Sequence, residues 1–146
     1  MKTIFDKRTR EEVINRINTL SENSKPQWGK MNVYQMVKHC TMWEEMLLGK
    51  RKYKQSLLGR IVGKMALKNM LKDEPAARNM PTVPSFKIKD NGDVTAAKAE
   101  WIKLIKQHDL QENSGFIHPF FGPLTADQAG RMAYKHIDHH LRQFNS

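Results

Sequence analysis

Apolar residues recur at three- and four-residue spacing along most of this chain, and no stretch longer than a few residues alternates apolar with polar. A helix presents every third or fourth side chain to one side, whereas a half-buried strand presents every second, so the pattern predicts an all-α or nearly all-α protein. The 146 residues, 39% of them apolar and 27% charged, suit one domain spanning 1–146. A chain of this length buries enough surface to fold without a disulfide or a structural metal. The single cysteine, Cys40, excludes an internal disulfide framework and any zinc module built on several thiolates. There is no run of 18 apolar residues, and Met1 to Arg10 carries four Lys or Arg without an apolar centre. Neither a membrane span nor a secretory signal is expected, and a cytoplasmic location is.

The helices can be placed by their caps and stripes. Thr9 followed by Glu12 reads as a capping box opening a first helix with Val13, Ile14, Ile17 and Leu20 on one face. Asn32 reads as the N-cap of a second helix, which runs to Gly49 and carries Val33, Met36, Val37, Cys40, Trp43 and Leu47. A third, from about Gln55 to Leu71, has Leu57, Leu58, Ile61, Val62 and Met65 as its stripe, and Gly59 and Gly63 would permit a close helix contact. Pro75, Pro81, Pro84 and Asn91-Gly92 then forbid a continuous helix between Asp73 and Asp93 and predict a long crossover ending in a tight turn. Val94, Ala97, Trp101, Leu104 and Ile105 form the next helix, ending near His108. After a turn region from Gly115 to Pro123, Thr125 and Gln128 form a capping box that opens a last helix reaching about Phe144.

The chemistry concentrates in that last helix. At about 100° per residue, Ala129, Ala133, Ile137, Leu141 and Phe144 share one arc, and His136 and His140 fall inside it, while Arg131, Lys135, Asp138 and Arg142 lie opposite. Four residues apart, the two rings stand one turn above each other, roughly 5 to 6 Å between Cβ atoms, which suits two ligands of one metal ion. His39 lies near the edge of the inward side of the second helix, between Met46 and Trp43. A lone inward histidine is usually a satisfied core residue, and a pair at HxxxH spacing with a third on another inward face raises a metal site to an even alternative, since HxxxH pairs also occur by chance. Three neutral imidazoles leave an open coordination position, the pattern of a catalytic rather than a structural site.

The segments WGKMNVYQMVKHC (Trp28 to Cys40) and HPFFGPLTADQAGRMAYKHIDHHLRQF (His118 to Phe144) resemble the DinB/YfiT-like superfamily, and within it a bacterial branch of unknown function. One histidine in the second helix and the form HxxHHxxQ in the last are its mark. The resemblance implies a four-helix bundle with a long crossover carrying an extra helix. It further implies a divalent metal, zinc or nickel, held by His39, His136 and His140, with a homodimer as the assembly. Gln143 matches the superfamily's glutamine and is placed to hydrogen-bond a ligand or water, while His139, at the edge of the arc, is the lesser candidate, beside the site or partly exposed. Members include transferases and isomerases that use small cellular thiols, and a metal-dependent hydrolase. The resemblance therefore implies a thiol-dependent S-transferase acting on a small-molecule substrate with a low-molecular-weight thiol, with a hydrolase as its alternative.

Other features carry less. His118 in the HPFFG segment is either a lip of the metal pocket or part of an aromatic plug, and the plug is favoured. His108 meets the end of its helix on the apolar side. Glu44 falls within the inward arc, as a general base or a partner to the site, although solvation near the helix end is the simpler reading. Cys40 reads as a small buried hydrophobe. No GxGxxG, GxxxxGK[ST] or GxSxG occurs, which leaves dinucleotide, P-loop and serine-hydrolase chemistry without support. With 25 Lys and Arg against 15 Asp and Glu the net charge is +10, and 46–72 holds eight basic residues and no acid. That stretch raises a non-enzymatic alternative, binding of nucleic acid or an acidic partner. Apart from Tyr53 it lacks aromatics to stack on bases, so a solvated basic face is expected, with neither nucleic acid nor membrane as a partner.

Overall fold

The computed structural model describes residues 1–108 and 116–146. The turn expected to begin at Gly115 starts outside the described residues. Within them the chain is an all-α bundle with one two-stranded ribbon: α1 (Lys7–Thr19), α2 (Val33–Leu47), α3 (Leu57–Met70), a 3₁₀ turn (Pro84–Phe86), α4 (Val94–Gln107), β1 (Phe116–His118), β2 (Gly122–Leu124) and α5 (Ala126–Gln143). Among the described residues, no helix is long and apolar enough to cross a membrane.

Four of the helices make the core. α2 packs on α4 and α5, and α1 packs on the same two, so α1 and α2 face each other diagonally with α4 and α5 between them. Val13 and Ile17 from α1, Met36 and Val37 from α2, Trp101 and Ile105 from α4, and Ile137 and Leu141 from α5 are fully buried. At about 25 cal/mol per Å² of apolar surface removed from water, such side chains supply most of the drive to fold.

The caps follow from side chains able to satisfy the free N–H groups of a first turn. Asn32 and Gln35 form a reciprocal capping box on α2, and Thr125 and Gln128 form the expected one on α5. At α1 the expected cap is displaced. Asp6 accepts from the backbone and hydroxyl of Thr9, so Thr9 lies inside the helix as the partner of the cap. A carboxylate at Asp6 brings a full negative charge to the helix N-terminus, so the helix opens three residues earlier than a Thr9 cap would open it.

α3 departs most from its expected packing. Its buried residues are Gly59, Gly63 and Leu67, while Leu57, Leu58, Ile61 and Met65 point to solvent. The close contact that the glycines permit is with the β1–β2 turn rather than with a helix. A Cβ on Gly59 would stand 2.3 Å from the Phe120 carbonyl oxygen, and one on Gly63 2.4 Å from it. The hairpin itself pairs Phe116 with Leu124 and His118 with Gly122, antiparallel. Three-residue strands are too short to register as alternation, which is why the sequence showed only a turn there.

The crossover from α3 to α4 returns to the core through Phe86, 3% exposed. Asn91 and Gly92 form no tight turn. Asn32 donates to the Asn91 side chain, and Gly92 lies flush on the Tyr34 ring, where a Cβ would come within 2.8 Å.

A candidate metal centre

His39 from α2 and His136 and His140 from α5 come together inside the bundle, one nitrogen from each lying within 4.8 Å of the others. Ring centroids are 4.9 Å apart for His39 and His136, 4.9 Å for His39 and His140, and 4.7 Å for His136 and His140. The pair on α5 follows from helix geometry, since residues four apart share a face. His39 completes the set because α2 and α5 are neighbours.

Hydrogen bonds decide which nitrogens converge. Nδ1–H of His39 donates to the Phe86 carbonyl at 3.0 Å, so the crossover orients this ring. Nδ1–H of His140 donates to Oε1 of Gln143 at 2.9 Å, and the Gln143 amide donates in turn to the Trp28 carbonyl at 2.8 Å. A neutral imidazole with its proton on Nδ1 presents a bare lone pair at Nε2. His39 and His140 are thereby set with Nε2 as the free donor atom. His136 takes its orientation from stacking, its ring lying 4.7 Å from that of Trp43 at 22°. Its Nε2 stands 2.9 Å from Nε2 of His39, and its buried Nδ1 has no hydrogen-bond partner.

Burial holds all three rings below the ordinary histidine value. The chief cause at each is loss of hydration of the charged form, reinforced at His136 and His140 by the neighbouring histidines. His140 is pushed down to about 3. At neutral pH the three are uncharged, as metal ligation requires. The three could hold a metal ion. A tetrahedral ion bound about 2.0 to 2.1 Å from each nitrogen would space them roughly 3.3 Å apart, within the range the cluster spans. Among the described residues no carboxylate or thiol joins the group; Cys40 is wholly buried, and burial pushes its thiol well up.

The chain belongs to the DUF1569 family, whose function is unknown. Residues 5–146 match it. No curated protein and no solved structure matches the chain. In this DUF1569 chain both the helix bearing His39 and the helix bearing His136 and His140 fall within the matched region.

The remaining singled-out residues are distributed around the cluster. His139 is half-buried, its ring edge-on to Trp28 at 5.6 Å and to His140 at 5.1 Å. It lines a cavity of about 800 Å³ with Trp28, Ala76, Arg78 and Arg142, to which the three clustered histidines do not contribute. Arg78 sits over the Trp28 ring at 4.4 Å. His118 is buried, and its Nδ1 accepts the N–H groups of Phe120 and Phe121, closing the hairpin turn, while its ring lies 4.9 Å from Trp43. It is one ring removed from His136. Desolvation lowers it to about 3, so it stays neutral in the physiological range.

Glu44 is fully buried rather than solvated at the helix end, and its partner is His108 at 2.6 Å. Its inward position was legible from the helix period. Its partner, 64 residues away, was not. Sequence reasoning also missed Trp43 and Phe86 as supports of the cluster. Trp43 reads in the sequence as part of the core stripe, and nothing local marks a carbonyl in a proline-rich crossover as an acceptor for His39.

Proposed function

We propose that this protein binds one divalent metal ion, zinc or nickel, through His39, His136 and His140, and that it is a metal-dependent enzyme. The observation that carries the reading is the convergence of three uncharged imidazoles, two of them fixed by Nδ1–H donation so that Nε2 faces the common centre. Three protein ligands leave a fourth position for a reactant. The metal's contribution there is to lower the pKa of what it binds, so that a small thiol or a water gives up its proton near pH 7.

The chain's own residues supply positioning. Phe86 and Gln143 hold two rings in one tautomer, and Trp43 holds the third by stacking. Gln143 also anchors the Trp28 loop through its backbone, since the Gln27 N–H donates to the Gln143 carbonyl at 2.7 Å. The arrangement is compatible with either transfer from a thiol or hydrolysis. The resemblance to the DinB/YfiT-like superfamily favours the thiol-dependent transferase.

Cobalt substitution separates the two readings. Cobalt bound by the three histidines gives visible ligand-field bands that are lost in His140→Ala. Addition of a small thiol should produce a sulfur-to-cobalt charge-transfer band. Ligand-field bands unchanged by any thiol would turn the reading to hydrolysis, and absence of the bands altogether would overturn the metal site.

Gln143→Leu removes the acceptor for His140 and should weaken metal affinity about 10- to 100-fold, as loss of such outer partners typically does. Gln143→Glu keeps the acceptor for His140 but loses the donation to the Trp28 carbonyl, so its affinity should fall less than that of Gln143→Leu. Competition against a chromogenic chelator measures both. Equal affinities for the two variants would show that the contact does not position the ring.

A further inference from the structure

We propose that the outward face of α3 is a docking surface for an anionic lipid bilayer. Four large apolar side chains stand on it mostly in water: Leu57 at 77% exposure, Leu58 at 62%, Ile61 at 81% and Met65 at 67%. Isolated exposed apolar residues are ordinary, but four within three turns of one helix form a patch.

The helix cannot roll to hide them. Gly59 and Gly63 bring its backbone flush against the Phe120 carbonyl, where no side chain fits. Its C-terminal end is tied down by buried Lys135, whose ammonium donates to the carbonyls of Met70 and Lys72. Glycine inward and leucine, isoleucine and methionine outward reverses the order that would stabilise an isolated bundle. Ile117, on the hairpin packed against α3, is also half-exposed.

Charge selects the occupant. Arg60, Lys64 and Lys68 share the exposed surface with the apolar four, and Lys72 follows at the end of the helix. From 46 to 72 there is no acid to balance them. A second copy of the chain is disfavoured by this arrangement. A two-fold pairing centred on Ile61 would set Arg60 and Lys64 of both copies along one seam with no carboxylate between them. A nucleic acid would use the cations and leave the leucines in water. A bilayer with anionic headgroups uses both, taking the apolar side chains into the acyl boundary while the flexible lysine and arginine stems reach up to the phosphates. In the sequence the basic stretch is compatible with an anionic membrane surface, but its cations cross the arc of Leu57 and Ile61 and the apolar stripe reads as one that the bundle would cover, so no membrane partner is expected there.

The test is co-sedimentation of the full chain with vesicles of phosphatidylcholine alone and of phosphatidylcholine with phosphatidylglycerol. The chain should pellet with the mixed vesicles and stay in solution with pure phosphatidylcholine. Ile61→Asp, at a position exposed enough to leave folding intact, should reduce the bound fraction at least about ten-fold, since it replaces an inserted side chain by a charge. Lys64→Glu with Lys68→Glu should do the same, and added salt should weaken the interaction. Failure to pellet with either vesicle overturns the proposal. So does equal binding of the unaltered chain and Ile61→Asp, which would leave a charge-only contact such as an acidic protein or nucleic acid. Equilibrium sedimentation without lipid covers the remaining occupant: a dimer that Ile61→Asp dissociates would assign the face to a second copy instead.

Discussion

Replacing Glu44 by alanine should lower the unfolding free energy by about 3 to 5 kcal/mol, the usual cost of removing one partner from a buried pair. The Glu44 and His108 side chains are 0% and 1% exposed, joined at 2.6 Å, with the Phe5 ring edge-on to the imidazole at 5.6 Å. Oε1 of Glu44 and Nδ1 of His108 have no further hydrogen-bond partner. Among the described residues each group is therefore satisfied by the other alone, and truncating one strands the second. His108→Ala should cost at least as much, because it leaves the carboxylate behind. Glu44→Leu combined with His108→Leu should recover much of the loss, since it strands neither group. Urea unfolding of the unaltered chain and the three variants measures the losses and the recovery. A double variant that loses as much as the two single variants together would contradict the pairing. Because this pair joins α2 to the end of α4 and is not part of the histidine cluster, Glu44→Ala should retain its metal.

The second large effect links metal, proton and fold. An ion that binds only the folded chain stabilises it by about 4 kcal/mol when free metal exceeds its dissociation constant about a thousand-fold. Thermal unfolding should therefore move upward with added zinc or nickel in the unaltered chain and stay put in His136→Ala. The metal-free chain should show the matching acid dependence. His39, His118, His136 and His140 all have folded values below the ordinary 6.5, so the native state refuses protons that the unfolded chain accepts. Their contribution is complete above about pH 6.5 and declines as pH falls from there toward about 3, where His118 and His140 would at last take protons. Metal release should follow the same descent, because protons and metal compete for Nε2. Stability that is flat from pH 7 to pH 4 would contradict buried neutral histidines.

The histidine cluster was readable because it depends on one helix period and one inward position. His136 and His140 fall in the arc of Ala133 and Ile137 whatever surrounds them, and Asn32 sets the phase of the helix that carries His39. What holds the cluster was partly readable. Gln143 lies three residues from His140 on the same helix, whereas the carbonyl that fixes His39 belongs to Phe86, 47 residues away in a segment without periodicity. α3 shows the limit of pattern reading most plainly. Periodicity placed Leu57, Ile61 and Met65 together on one side but could not say whether the bundle covers that side, and two glycines proved the better guide to where the backbone approaches. The pairing of Glu44 with His108 had no local signal on either residue.

Elemental analysis of untagged protein after incubation with zinc or nickel, beside His39→Ala, His136→Ala and His140→Ala, tests the central claim most directly. The account predicts close to one metal ion per chain in the unaltered protein and a fall to background in each variant that remains folded by circular dichroism. No bound metal in the unaltered protein, or a full complement retained by all three folded variants, would contradict it.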